Sequence, residues 1–95
     1  MKRVTENHNV RRVAMAILSY LRDHSLAKDS ARGIAKWWVG EELDVVEKAL
    51  ALLVNEGAIE KHRHLYKLAP GKPVENGSAI IDKALRKLRR KNNHY

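Results

Sequence analysis

Two histidines lie two positions apart in the middle of the chain, at His62 and His64. On a strand edge, both side chains would face one side, and imidazole nitrogens at that spacing could hold a metal ion. The chain has no cysteine, and no carboxylate pair completes such a site. The favoured interpretation is a pair of exposed histidines rather than a pair of metal ligands. We therefore expect neither a metal nor another cofactor.

Residues able to support covalent or acid–base catalysis are present but scattered. Serine, histidine and aspartate occur without a nucleophile elbow, and no glycine-rich loop is suited to cradle a phosphate. The sequence therefore predicts a protein that is not an enzyme.

Charge is the strongest chemical signal of the chain. The formal net charge is +8, and the sequence pI is about 10.1. Residues 41–60 contain six acidic residues and only one basic residue, Lys48, a local charge of −5 that leaves +13 for the rest. A compact domain this basic favours a polyanionic partner, with nucleic acid first among the candidates.

The composition bounds the class of protein. A chain of 95 residues with 44% hydrophobic and 32% charged residues predicts one folded domain with a modest core. The absence of cysteine excludes disulfides and thiolate zinc sites and fits a reducing compartment. No apolar run approaches the roughly 18–20 residues that span a bilayer, and the N-terminus does not resemble a signal peptide. We expect a cytoplasmic protein.

Hydrophobic spacing predicts three helices in the first 55 residues. Residues 1–9 are expected to be flexible, with Asn9 as the cap of a first helix that ends near His24. Asp29 or Ser30 can cap a second helix, which ends at the turn residue Gly40. A third helix is predicted over residues 41–55, ended by Gly57.

Two strands and a further helix follow. Residues 58–61 and 65–68 read as strands around a polar tip. Residues 70–77, rich in proline and glycine, are predicted to be a linker, and residues 78–91 a basic helix. Its narrow apolar seam could pack on its own domain or pair with a second copy. The seam includes Ile81, Ala84, Leu85 and Leu88.

Two adjacent tryptophans occupy the end of the second helix. A helix cannot bury both equally, and Trp38 fits the inner stripe of this one. Trp37 should be partly exposed, either under a neighbouring lysine stem or buried in a partner. The sequence leaves these two alternatives open.

The order of these elements resembles the winged helix-turn-helix superfamily over residues 10–69. Gly40 lies six residues before Val46, the usual interval between the turn and the buried valine of the recognition helix. The segments that carry the resemblance are Arg32-Gly33-Ile34-Ala35, Trp38-Val39-Gly40, Val46-x-x-Ala49-Leu50-x-x-Leu53, Gly57-Ala58-Ile59 and Leu65-Tyr66-Lys67-Leu68. The expected fold is α+β: three helices, a wing hairpin of two or three strands, and an added C-terminal basic helix.

The resemblance implies that the third helix enters the major groove of DNA and that the wing contacts the backbone or the minor groove. The groove-facing positions would be Glu42, Asp44, Val45, Glu47, Lys48 and Ala51. Acids at these positions oppose phosphate attraction, although acids in a first helical turn also stabilise the helix dipole. Wing and tail should therefore contribute more to binding than the third helix.

The resulting hypothesis is a small DNA-binding protein, a transcriptional regulator that acts as a homodimer. The residues expected to contact nucleic acid are Arg32, Lys36, Lys48, Lys61, Arg63, His64, Lys67, Arg86, Arg89 and Arg90. The residues expected to contact a protein partner are Trp37, Ile81, Ala84, Leu85 and Leu88.

The alternative is a protein-interaction module that kept the fold and docks a basic partner through the acidic third helix and Trp37. RNA is a third possible partner.

Overall fold

A computed structural model describes residues 2–70 and, in the C-terminal helix, residues 79, 81–83, 85 and 86. Helices pack on one small antiparallel sheet, so the predicted α+β class is confirmed. The helices contribute most of the buried core, and one strand and the C-terminal helix complete it.

The first helix, α1, spans Lys2–Asp23. The predicted start at Asn9 is wrong, because that residue lies inside the helix. No proline or glycine interrupts residues 2–9, and adding residues to a formed helix is far easier than nucleating one. The flexibility expected of residues 1–9 stays a prediction. The predicted inner face is confirmed, and its buried residues are Val10, Val13, Ala14, Ile17, Leu18 and Leu21.

The second helix begins as α2 (Ala31–Gly33) and continues as a π-helical segment (Ile34–Val39). Of the two predicted caps, Asp29 and Ser30, Ser30 is the N-cap, since its hydroxyl accepts a hydrogen bond of 3.1 Å from the amide of Gly33. Gly40 ends the segment with a left-handed backbone, φ 63°, and its amide donates to the carbonyl of Ala35. This bond to a carbonyl five residues back is the π-helical pattern, which the periodicity of the sequence did not predict.

The third helix, α3, spans Leu43–Asn55, so the predicted start at Glu41 is wrong. Glu42 is the N-cap residue and has an extended backbone, which leaves Asp44 as the acid of the first turn. The left-handed Gly40 stops the preceding helix, and Arg12 of α1 binds the side chain of Glu41 outside α3. Gly57, with φ 77°, follows the helix as predicted.

Three strands form the sheet in the order β1-β3-β2: β1 (Lys28–Asp29), β2 (Ile59–His62) and β3 (Leu65–Leu68). All pairs are antiparallel. The predicted hairpin is confirmed, although its first strand begins at Ile59 rather than Ala58. The amide of Ala58 instead donates to the carbonyl of Leu53, which joins the hairpin to the end of α3.

The C-terminal helix packs on its own chain. Ile81 is fully buried in the common core, and the half-buried Leu85 packs against it. Nε of Arg11 on α1 donates to Oδ1 of Asp82 at 2.8 Å. Of the two predicted roles of the seam, packing on its own domain and pairing with a second copy, Ile81 thus has the first. Residues 71–77 of the predicted linker, Ala84 and Leu88 lie outside the described residues.

Candidate nucleic-acid interface

The tip of the β2–β3 hairpin displays an exposed arginine between two exposed histidines. Register pairs His62 with Leu65, so Arg63 and His64 form a two-residue turn. Arg63 has φ 61° and is the one non-glycine residue with positive φ in the described part of the chain. This conformation costs an arginine on the order of 1 kcal/mol relative to an ordinary backbone. The fold therefore holds a long cation at a tip where glycine would cost less.

The solvent face of the sheet adds two lysines side by side. Cross-strand pairing places Lys28 beside Lys67, with Glu60 on the other flank of Lys67. All three side chains are exposed, and none forms an ion pair in the described part of the chain. Adjacent like charges repel, so this pair favours a bound anion. The predicted contacts omitted Lys28, because the β1–β3 pairing joins positions far apart in the sequence.

The other predicted nucleic-acid contacts are distributed over the surface. Lys61 is exposed and lies over the ring of Tyr66, with its ammonium 5.5 Å from the ring centroid. Arg32 and Lys36 are exposed on the second helix, and Lys48 is exposed on α3. Arg86 of the C-terminal helix is also exposed, whereas Arg89 and Arg90 lie outside the described residues.

The outer face of α3 is acidic, as its sequence indicates. Glu42, Asp44 and Glu47 are exposed, whereas Val45 is half-buried and packs against the core. Lys48 and Ala51, the other two positions predicted to face the major groove of DNA, are also exposed. The carboxylates on this face would repel an anion such as a phosphate, whereas the sheet and its hairpin present exposed cations.

Glu41, in the turn before α3, forms an ion pair with Arg12 of α1. Nη2 of Arg12 donates to its Oε1 at 3.1 Å, and Nη1 of the same guanidinium donates to its Oε2. These hydrogen bonds lower the pKa of Glu41, and the carboxylate raises the pKa of Arg12. The pair ties α1 to the turn before α3 and neutralises one acid.

Glu41 should make stability depend on acidity. Its pKa in the folded protein lies below the ordinary 4.5, so its contribution is present above that pH and is lost as pH falls through the lowered value. We expect the stability difference between the wild type and Glu41→Gln, measured in urea titrations, to narrow as the pH falls below about 4.5. The control compares the Arg12→Gln variant with the double variant that carries both Arg12→Gln and Glu41→Gln. The stability difference between these two proteins should not narrow. Equal narrowing in both backgrounds would contradict the role of this pair.

The two tryptophans have different environments, as predicted. Trp38 is half-buried and stacks on Tyr20, with ring centroids 4.5 Å apart and an interplanar angle of 12°. Trp37 remains 71% exposed, and the Lys36 ammonium lies 4.9 Å from its ring centroid. Trp37 thus contacts a neighbouring lysine, which is the first of the two predicted alternatives. The second, burial of Trp37 in a partner interface, stays a prediction.

The described residues contain no cluster of three histidine, cysteine or acidic side chains able to hold a metal ion. His62 ends β2 and His64 lies in the turn, and both are exposed. None of the helices in the described part of the chain combines the length and the apolar character needed to cross a membrane.

Comparisons with protein-family models, with curated proteins and with solved structures found no match to this chain. The class assigned to the protein therefore rests on its own fold, a three-stranded α+β domain whose architecture is compatible with a winged helix.

Proposed function

We propose that this protein binds duplex DNA through its hairpin, which serves as the wing, and acts as a transcriptional regulator. The main support for this proposal is Arg63, which has a left-handed backbone at the tip of the hairpin. On the solvent face of the same sheet, Lys28 of β1 lies beside Lys67 of β3. Functional sites are where backbone strain of this kind concentrates. A duplex would supply phosphates to several of these cations at once.

The distribution of charge supports an orientation with the wing against the backbone. Lys28, Lys61, Arg63 and Lys67 belong to one small sheet and its turn, and all four are exposed. The exposed acids of α3 disfavour deep insertion of that helix into the major groove. Contacts should therefore be mainly electrostatic, with weak reading of base edges.

Substitutions at Arg63 should separate stability from binding. Arg63→Gly should raise the melting temperature, because glycine accepts positive φ without strain, and should weaken duplex binding several-fold through the loss of a phosphate contact. Arg63→Lys, which keeps both the charge and the backbone cost, is the matched control and should bind nearly as tightly as the wild type. Melting curves and fluorescence anisotropy with a random duplex measure the two properties.

A more stable Arg63→Gly variant with undiminished affinity would contradict the wing contact. A less stable one would show that the arginine side chain itself supports the hairpin.

The proposal includes two further parts. We propose a homodimer that pairs through the C-terminal helix, in which Ile81 is used within the chain and Leu85 is half-buried against the core. A role on DNA, in a chain without cysteine, also fits a cytoplasmic location.

A protein-interaction module is the second candidate, and the exposed Trp37 favours it. That function would use the acidic face of α3 and Trp37 to dock a basic partner. Absence of DNA binding at low salt would favour it.

A further inference from the structure

A shallow groove lies between the second helix and the start of α3. It is lined by Arg32, Gly33, Ala35, Lys36, Trp37, Glu41 and Leu43, and its volume is about 500 Å³. Gly33 belongs to the lining, and a Cβ there would lie 2.1 Å from Oδ1 of Asp29, so the packing against Asp29 leaves no room for a side chain at this position. The groove uses none of the wing residues.

The charges of the groove favour an anionic ligand. Arg32 and Lys36 are exposed and form no ion pair in the described part of the chain. Glu41 is the one carboxylate of the lining, and the Arg12 guanidinium already binds it through both oxygens. The acids of α3 that would attract a basic partner do not belong to this lining.

The shape of the groove favours a flat ligand. Trp37 is 71% exposed, so its ring is accessible to a ligand. The Lys36 ammonium lies over one face of the ring, 4.9 Å from its centroid, which leaves the opposite face for a stacked base and a positive charge close to it. An open groove cannot enclose a bulky anchor side chain, whereas a planar base needs only one accessible ring face.

We infer that this groove binds single-stranded nucleic acid, with an unpaired base stacked on Trp37 and neighbouring phosphates held by Arg32 and Lys36. Aromatic stacking combined with cations along the backbone is a general mode of binding to single strands. This site goes beyond the proposed duplex contacts of the wing. It would let the protein hold a strand that has been unpaired.

The test uses the intrinsic fluorescence of Trp37 in a Trp38→Phe background, which leaves one tryptophan in the chain. The probes are an oligothymidylate of about 12 nucleotides and an abasic sugar–phosphate oligomer of the same length. We expect saturable quenching by the oligothymidylate and little quenching by the abasic oligomer.

In an otherwise wild-type chain, Trp37→Ala should weaken oligothymidylate binding on the order of tenfold and leave abasic binding unchanged. Trp37→Tyr should retain most of the affinity, because it keeps an aromatic face. Melting curves of each variant check that the fold is intact.

Equal effects of Trp37→Ala on both oligomers would overturn the stacking contact. So would quenching by an acidic peptide with one aromatic residue when the oligothymidylate causes none, since that result would assign the groove to a protein ligand. Duplex binding by the wild type and by a wing variant is measured alongside. A wild type that shows Trp37 quenching by the oligothymidylate but does not bind the duplex would contradict the wing proposal. A wild type that binds the duplex but shows no Trp37 quenching would contradict this one. The wing variant should lose duplex binding and keep the quenching.

Discussion

Replacing Ile81 with alanine should lower the free energy of unfolding of the whole domain by about 2–4 kcal/mol. The side chain of Ile81 is 0% exposed and belongs to the same core as α1 and α3. Truncation removes buried apolar area and leaves a cavity that the surrounding helices fill only in part. Urea unfolding followed by circular dichroism measures the loss.

Leu26→Ala is the matched control, because this leucine is 94% exposed. Its effect should stay within about 0.5 kcal/mol. An Ile81→Ala variant as stable as the wild type would show that the C-terminal helix is not part of the folding unit. The predicted loss would instead mean that this helix completes the core and that Ile81 is not available for a partner.

The second large effect concerns binding. Replacing Arg63 and Lys67 together with alanine should weaken duplex DNA binding on the order of tenfold or more at low salt, because two phosphate contacts are lost. Both side chains are exposed, so the fold should be unchanged. Fluorescence anisotropy with a labelled random duplex gives the dissociation constants.

The matched control replaces two exposed acids of α3, Glu42→Ala with Asp44→Ala. This variant should bind equally or more tightly, because repulsion of the phosphates is reduced. If the acidic pair proves essential while the wing pair has no effect, the proposed orientation on DNA is wrong, and α3 is the surface that contacts the partner.

Local sequence signals predicted much of this fold. Ser30 was expected as a cap because its hydroxyl can accept from an amide of the first turn, and it accepts from Gly33. Gly40 and Gly57 were expected at helix ends, and both have positive φ. The stripe from Val10 to Leu21 was predicted from spacing alone, since burial follows the helical period.

Contacts between distant residues account for what was missed. The Arg12–Glu41 pair and the β1–β3 pairing join positions that no local pattern connects. The ion pair binds Glu41 outside α3, and the strand pairing places Lys28 beside Lys67. The π-helical segment was also missed, because its hydrophobic spacing resembles that of an ordinary helix.

The candidate site was predictable in its chemistry more than in its geometry. Composition indicated a polyanion, and the resemblance indicated a wing, but neither could show that Arg63 adopts positive φ. That observation comes from the closure of a hairpin by two residues, a constraint imposed by the pairing of His62 with Leu65.

The groove at Trp37 depends likewise on the turn that separates the second helix from α3. The spacing of hydrophobic residues predicted that Trp37 is exposed. It could not show that Arg32, Trp37 and Glu41 line the same groove.

The salt dependence of duplex binding tests the central claim most directly. Suppose that the four exposed cations of the sheet and its turn, Lys28, Lys61, Arg63 and Lys67, each neutralise a phosphate. A plot of the logarithm of the association constant against the logarithm of the salt concentration should then have a slope of roughly −3 to −4. Additional contacts from the C-terminal helix would make the slope steeper. A slope near zero, or no binding at low salt, would contradict the assignment of this protein to duplex DNA.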